Sequence, residues 1–457
     1  MLNTTIVALT TALLCGSPFT LSPSRSYRTF SVDKSNFAKS LHTVFYFNSF
    51  FGQSKFAKTT FDSIIGGAVR AESAYDVKDQ TIEKRLIYTP FTDNRYSFES
   101  CMFRNCHISG ELNNGGAISI SASTSSFDQD VDFSIEFSSF YNCWCAGGQG
   151  GAIALTLISD ADILHTCFDS CTTREQSETG DFGAGTAVYI THRLNPKLSL
   201  RTKSRGSSYN KCPSTGVMNP NTQSVFYSFQ GEIDIDHSNF TQNFIEKSAA
   251  ALLLFEPKPC YIDYLNLINQ TGEYTVYISS GSDSVCDINT VNFVYCDQHA
   301  DAKSYKGVLA GLHTQITIED SVFILASNKY LATKTDTSDS TSFTFSKCVF
   351  DQETSFYQDA SICTFNSCSK SGNPATNDIT FFDSRECWEI EPERLPASDS
   401  VYAFFLVFAV FAGLIGFGLY LQITQFTGGN ATISEKYDAA PAIAEPISKA
   451  AYDAIPE

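Results

Sequence analysis

The stretch Asn113–Ile120 reads NNGGAISI, and Gly148–Leu155 reads GQGGAIAL. The same shorter phrase, Phe-x-x-Cys, comes before each, at Phe103–Cys106 and at Phe140–Cys143. Two phrases that recur in one order, about 35 residues apart, mark a structural repeat. A repeat of this length restricts the fold more than composition does, because each copy must be one unit of a stacked array.

Take the Phe of the phrase as an index position. The series then runs Phe37, Phe61, Phe103, Phe140, Phe168, Tyr209, Phe240, Leu267, Phe293, Phe323 and Phe350, with Phe382 as a twelfth candidate. Seven and five residues before the index lie apolar pairs such as Tyr96/Phe98, Phe133/Ile135, Ile233/Ile235 and Ile316/Ile318. Spacing of two defines one face of a strand. The index lies an odd number of residues after the pair, so a straight strand would point it the wrong way. The chain therefore bends in between, where residues such as Asp236-His237 and Glu319-Asp320 are polar. The rungs at Tyr209, whose pair is Thr202/Ser204, and at Phe382 fit the pattern worst.

A third apolar stretch often follows, as at Gly116-Ala-Ile118 and Gly151-Ala-Ile153. Three short strands about every 31 residues make one turn of a right-handed single-stranded parallel β-helix, all-β, over residues 30–390 in about twelve coils. A Gly-Gly pair suits a crowded corner. A leucine-rich array lacks its Leu/Asn ladder here, and a sandwich array needs longer alternating strands. The Ser/Thr/Gly-rich, β-branched composition argues against helical repeats.

Two segments stand outside the repeat. Residues 401–421 are 21 residues without a charge, long enough to cross a bilayer as one transmembrane helix. Residues 1–16 read as a signal peptide, apolar from Ile6 to Leu14, with cleavage near Cys15–Ser17 and no Lys or Arg before the apolar run. The expected topology is a type I single-pass protein of the plasma membrane, its ectodomain outside and residues 422–457 a disordered cytoplasmic tail. Fifteen Cys agree with export: removing Cys15 leaves fourteen, all before the span. A net charge of −18 argues against nucleic acid as a partner.

Phe-x-x-(Asn/Cys) followed by Gly-Gly-Ala-Ile resembles the repeats of polymorphic outer-membrane proteins and of single-pass surface families of trichomonad protozoa. GGAI is intact at 115–118 and 150–153, GGAV stands at 66–69, and GAGTAV at 183–188 is degenerate. The likeness covers about a third of the chain. The chain departs from the bacterial family in carrying Cys where Asn is commoner and in ending with a membrane helix instead of a barrel. The resemblance implies a surface β-helix with an adhesive or host-contact role and names no ligand.

Cys106, Cys143, Cys171 and Cys212 each lie three residues after the index, and Cys260 and Cys286 both lie seven before it. Stacked strands about 4.8 Å apart bring such cysteines within disulfide range. The expectation is a staple Cys260–Cys286, two adjacent pairs among the other four, and a local Cys363–Cys368 bridge. The bland alternative is a ladder of buried thiols. Cys143-Trp-Cys145 and Cys167-x-x-x-Cys171 lack a His at zinc-finger spacing, so no metal or other cofactor is expected. Asn239 and Asn269 open glycosylation tripeptides.

Arg193, Lys197, Arg201, Lys203, Arg205 and Lys211 form a basic run in an acidic chain. Such a patch attracts sulfated glycans or acidic cell surfaces, although an exposed loop has the same composition. Asp234, Asp236 and His237, and then Asp128, Asp130 and Asp132, are the best carboxylate clusters. The first occupies the repeat's ordinary bend, and the second reads as a solvated or calcium-binding loop. Tyr452 and Ile455 resemble a tyrosine sorting signal that would engage an adaptor. The expectation is a non-catalytic surface protein for adhesion to an extracellular protein or glycan. A polysaccharide lyase or hydrolase, and a recycling receptor, are the competing classes.

Overall fold

The bend between the apolar pair and the index is a single residue. In every copy, from Lys34 to Ser367, the residue three before the index has a left-handed φ of 45–60°. Gly206 is the one glycine among the twelve; His165, His237 and Tyr264 are side-chain-bearing examples. One left-handed residue turns the strand sharply without breaking its ladder, because its N–H still reaches the next coil: His165 N donates to Arg205 O at 2.8 Å.

The next residue completes the corner. Its hydroxyl donates back two residues to a carbonyl that the bend exposes, at 2.9 Å for Ser138 on Glu136, 2.9 Å for Thr166 on Leu164 and 2.8 Å for Ser321 on Glu319. Cys101, Cys348 and Cys368 occupy the same position, with Sγ 3.5, 3.4 and 3.6 Å from the equivalent oxygen. These small donors add a second hydrogen bond to carbonyls that already accept a corner N–H from a neighbouring coil, as Glu136 O does from Ser100 N at 3.0 Å.

The computed structural model of the chain describes residues 19–21, 29–47, 52–72, 93–109, 114–122, 130–174, 183–192, 200–213, 223–246, 248–298, 307–325, 330–336, 340–357 and 360–379. All of them lie in the first of two units, Met1–Glu393; the second is Arg394–Glu457. Residues 1–16, expected to be a signal peptide, and Phe382, residues 401–421, Tyr452, Ile455, Arg193, Lys197 and Asp128 lie outside the described residues. Among the described residues no helix is long and apolar enough to cross a membrane.

The described chain is all-β and its strands pair in parallel, each with its counterparts in the coils above and below. The long strands, such as Asp130–Glu136, Asp160–Leu164 and Arg201–Arg205, form one face. The index strands form a second sheet of twelve, with Phe103, Phe140, Phe168, Tyr209, Phe240 and Leu267 in direct register. Ile118–Ser121, Ile153–Ile158 and Val188–His192 belong to the third face. The twelfth index position is Lys370, in the strand Ser369–Lys370, with Cys363 and Phe365 as its pair; Phe382 had been the expected residue.

The core is a column of rings. Phe37, Phe61, Phe103, Phe140, Phe168, Tyr209 and Phe240 stack face to face with centroids 4.5–5.3 Å apart. Leu267 interrupts the column, and Phe293, Phe323 and Phe350 resume it at 4.5 and 5.0 Å. This spacing is the strand spacing of a sheet, so an identical side chain in each coil packs without gaps.

The two glycines of the GGAI phrase have separate reasons. Gly115 and Gly150 sit at φ 72° and 70°, where a β-carbon strains the backbone. A Cβ on Gly116 would lie 2.6 Å from the Trp144 carbonyl oxygen, so that position is closed by contact with the next coil.

The sixth coil is the polar exception. Thr202 and Ser204 replace the apolar pair and are fully buried. Ser204 Oγ lies 2.9 Å from the hydroxyl of Tyr209, the one tyrosine in the ring column. Thr202 Oγ1 lies 2.6 Å from His192 Nε2 and 3.1 Å from Ser228 Oγ. His192 Nδ1 is 3.2 Å from the Ile158 carbonyl, which only accepts, so Nδ1 carries the proton and Nε2 accepts from Thr202. The weakest rung in the sequence pattern is therefore a satisfied buried network.

At the far end the chain doubles back. Asn239, Asn266 and Asn292 form an amide ladder on the index face, each step 2.8 Å. Its last member exchanges two bonds with the backbone of Asn377, N to Oδ1 at 2.8 Å and Nδ2 to O at 3.0 Å. Asn377 Nδ2 also donates to Asp320 O at 2.9 Å.

Candidate interaction surface

Cysteine is used in two ways. Cys260 and Cys286 are directly paired in register, with Cα atoms 4.6 Å apart, and form a disulfide. Cys106, Cys143, Cys171 and Cys212 are instead buried thiols, so the second set of expected staples is not present. Their Sγ atoms turn to carbonyls: Cys143 to Tyr141 O and Phe103 O, both at 3.6 Å, and Cys212 to Asn210 O at 3.2 Å. Asn243 and Gln270 continue the column with the same role, Asn243 Nδ2 donating to Tyr209 O at 3.1 Å and Gln270 Nε2 to Phe240 O at 2.8 Å. Cys296 belongs to the same column, which sequence reading did not register. Burial pushes the thiols of Cys143, Cys171 and Cys212 far up, so they are poor nucleophiles. Cys363 and Cys368 are also free; Cys363 stacks on Phe343 and Cys368 on the coil of Cys348, which separates them.

The glycosylation tripeptides differ sharply. Asn239 is fully buried in the amide ladder, so this fold leaves no room for a glycan there. Asn269 is exposed, at a left-handed corner with φ 53°.

Of the described residues of the basic run, Arg201, Lys203 and Arg205 are each paired with a carboxylate. Arg201, Lys203 and Arg205 occupy alternate positions of one strand and point outward between acidic strands. Arg201 pairs with Asp162 at 3.2 Å, Lys203 with Asp234 at 3.2 Å, and Arg205 with Asp236 at 3.3 Å. A shallow depression of about 430 Å³ lies over Asp162, Leu164, His165 and the three bases. Lys211 is exposed at a separate corner. Elsewhere on this face Lys55 pairs with Glu99 at 2.8 Å and Arg95 with Asp132 at 3.5 Å. Asp130 and Asp132 thus lie in a strand, where a loop had been expected, and Asp130 accepts from Ser159 Oγ at 3.3 Å.

Past the strand of Arg201, Lys203 and Arg205 the face continues in acidic residues, of which Asp234 and Asp236 are the partners of Lys203 and Arg205. Asp234, Tyr261 and Asp287 succeed one another in one column of three coils, with Asp236, Asp263 and Asn289 in the column beside it. Desolvation, and then the carboxylates of Asp236, Asp234 and Asp287, hold the Asp263 carboxyl above its usual range. Asp263 and Asp287 make no ion pair among the described residues. Tyr261 and Tyr264 are 41% and 40% exposed, and His237, hydrogen-bonded to Asp236, stacks on Tyr264 at 4.7 Å. The expected cluster of Asp234, Asp236 and His237 is therefore real as a neighbourhood, and Asp263, Tyr261 and Tyr264 join it from the next coil. Their spacing along the chain concealed this. In a separate three-stranded sheet Trp144 lies between His107 at 4.3 Å and Arg174 at 4.2 Å.

No protein family, curated protein or solved structure matches the chain.

Proposed function

We propose that this chain is a single-pass cell-surface β-helix protein that holds out a long, rigid interaction surface for adhesion, without catalysis of its own. On this reading the coils wind right-handed, as parallel crossovers nearly always do. Residues 1–16 direct export, residues 401–421 anchor the chain, and the tail carries the sorting motif at Tyr452 and Ile455. The ligand is an extracellular protein or glycan, and Asn269 carries the glycan of the ectodomain.

The observation that carries the reading is the outer side of the long face. Its strands are fixed by pairing on both edges, while the exposed Tyr261 and laddered charges project from them and Tyr264 stands at the adjoining corner. A rigid scaffold with tyrosines outward loses little side-chain entropy on binding.

The test is binding of the purified full-length protein to cell surfaces, matrix proteins and glycans. Saturable, salt-sensitive binding is the expected result. Release of soluble sugar from a glycan, without stable binding, would transfer the chain to the polysaccharide-active class, with Asp236 and Asp263 as the first residues to replace.

A further inference from the structure

The outer side of the index face is covered, and the cover has a fixing point. The residue before each index position points away from the core. In five successive coils it is Cys167, Ser208, Asn239, Asn266 and Asn292. At the two ends of this column Asn36 and Ser369 are exposed, as an outward residue should be. Between them Cys167 and Asn239 are fully buried, and Ser208, Asn266 and Asn292 are at most 6% exposed. At one end of the buried stretch the chain itself supplies the cover: Asn377 is bonded to Asn292, and Ile379, two residues further on, is buried. At the other end Cys167 is disulfide-bonded. Ten other cysteines are free thiols, and Cys260 is joined to Cys286. That leaves Cys15 and Cys387, both outside the described residues, to be its partner.

We propose that Cys167 is bonded to Cys387, and that residues 380–387 run as a strap over the outer side of the index face, from Asn292 to Cys167. Reach decides between the two cysteines. Cys15 lies four residues before Phe19, about 14 Å of extended chain. Phe19 is four strand steps from Ile153, and Cys167 lies in the coil after that, on another sheet. Those layers set it about 22 Å away along the axis, beyond that reach even with the about 6 Å between the Cα atoms of a disulfide. Cys387 lies ten residues after Asn377, about 33 Å of extended chain. It has four steps to cover from Asn292 to Cys167, about 19 Å. In an extended continuation Phe381 and Cys387 also fall on the side that Asn377 and Ile379 turn to the sheet. The bond forms by exchange with a small disulfide such as oxidised glutathione: the two thiols give up two protons and two electrons, and the oxidant leaves as two thiols. The strap takes the index face out of reach of a partner and leaves the long face open. With the bridge reduced, tension on the strap falls on the Asn377 clasp alone. The inference stands whether or not the chain is an adhesin.

The test is disulfide mapping by mass spectrometry of the full-length protein made in a secretory cell, its free thiols alkylated in urea before digestion. A linked pair of peptides carrying Cys167 and Cys387, lost on reduction, is the expected result. In Cys387→Ser the thiol of Cys167 should become alkylated while Cys260–Cys286 stays linked. Trypsin should cut the native wild type after Arg385 about tenfold more slowly than it cuts Cys387→Ser, because a segment tied down at both ends does not fit a protease. Alkylated Cys387 in wild-type protein whose Cys260–Cys286 bridge is intact would overturn the proposal, and so would Cys167 linked to Cys15. A Cys167–Cys387 bridge with equal cutting after Arg385 in both proteins would overturn the strap.

Discussion

Acid should weaken this fold through His192. Its ring is buried in the sixth coil, its Nδ1–H donates to Ile158 O, and its Nε2 accepts from Thr202. Burial lowers its pKa from 6.5 to about 4. A proton on Nε2 would add an uncompensated charge and turn the Thr202 hydroxyl away from its acceptor. The unfolded chain binds that proton near pH 6.5 and the folded chain only near pH 4, so stability is complete above pH 6.5 and declines as pH falls toward 4. The loss from this group is about 2 kcal/mol at pH 5 and about 3 kcal/mol at pH 4. The assay is urea unfolding of the wild type and of His192→Gln at pH 7, 6, 5 and 4. Gln keeps a donor for Ile158 and an acceptor for Thr202, so at pH 7 it should cost about 1 kcal/mol. The gap between the two proteins should close, and then reverse, as pH falls. Parallel pH profiles for wild type and variant would refute the argument, because carboxylate titration is common to both.

The ring column gives a second expectation. Phe168→Ala should cost about 4 kcal/mol in denaturant unfolding and Phe168→Leu about 1–2, since Leu keeps the burial and loses only the stacks on Phe140 and Tyr209. Replacing both Cys260 and Cys286 by Ala releases a link of sequence separation 26 and should lower stability by about 3 kcal/mol, read as a shift in the urea midpoint under non-reducing conditions. For protein made in a secretory cell, Asn269→Gln should remove a glycan by mass spectrometry, while the tripeptide at Asn239 in folded, secreted protein should be bare. Native protein should resist alkylation at Cys143, Cys171 and Cys212 and become reactive at all three in urea.

The coil was legible in the sequence wherever burial repeats in register. Phe103, Phe140 and Phe168 are spaced unevenly, yet each follows its apolar pair by the same interval, because the inner wall of a coil tolerates no slip while the outer loops do. The corner residues were less visible. Lys34, Phe137 and His237 share a backbone angle and no side-chain chemistry, so composition marks none of them. The cysteines misled for a related reason. Stacking brings like residues together, and proximity alone does not distinguish a disulfide from a column of small donors such as Cys143, Asn243 and Gln270. The pairing of the basic strand was hidden because a chain read along its length shows Arg201, Lys203 and Arg205 in succession. Their partners at Asp162, Asp234 and Asp236 lie one coil away, about 30–40 residues distant. Asn239 looked like a surface tripeptide because its burial comes from the ladder and not from its neighbours in sequence.

The return of the chain at Asn377 bears on mechanics. A solenoid pulled from its terminal coil unzips one turn at a time, each step needing only the force that parts one layer. Here tension on the C-terminal side of Asn377 meets Asn292 and Asp320 before it reaches the strand Ser369–Lys370. The load enters two and three coils inside the end, where three hydrogen bonds must part first. The last turn is thereby relieved of strain while that clasp holds, and Asn292→Ala should move the first rupture in a pulling experiment to the terminal coil.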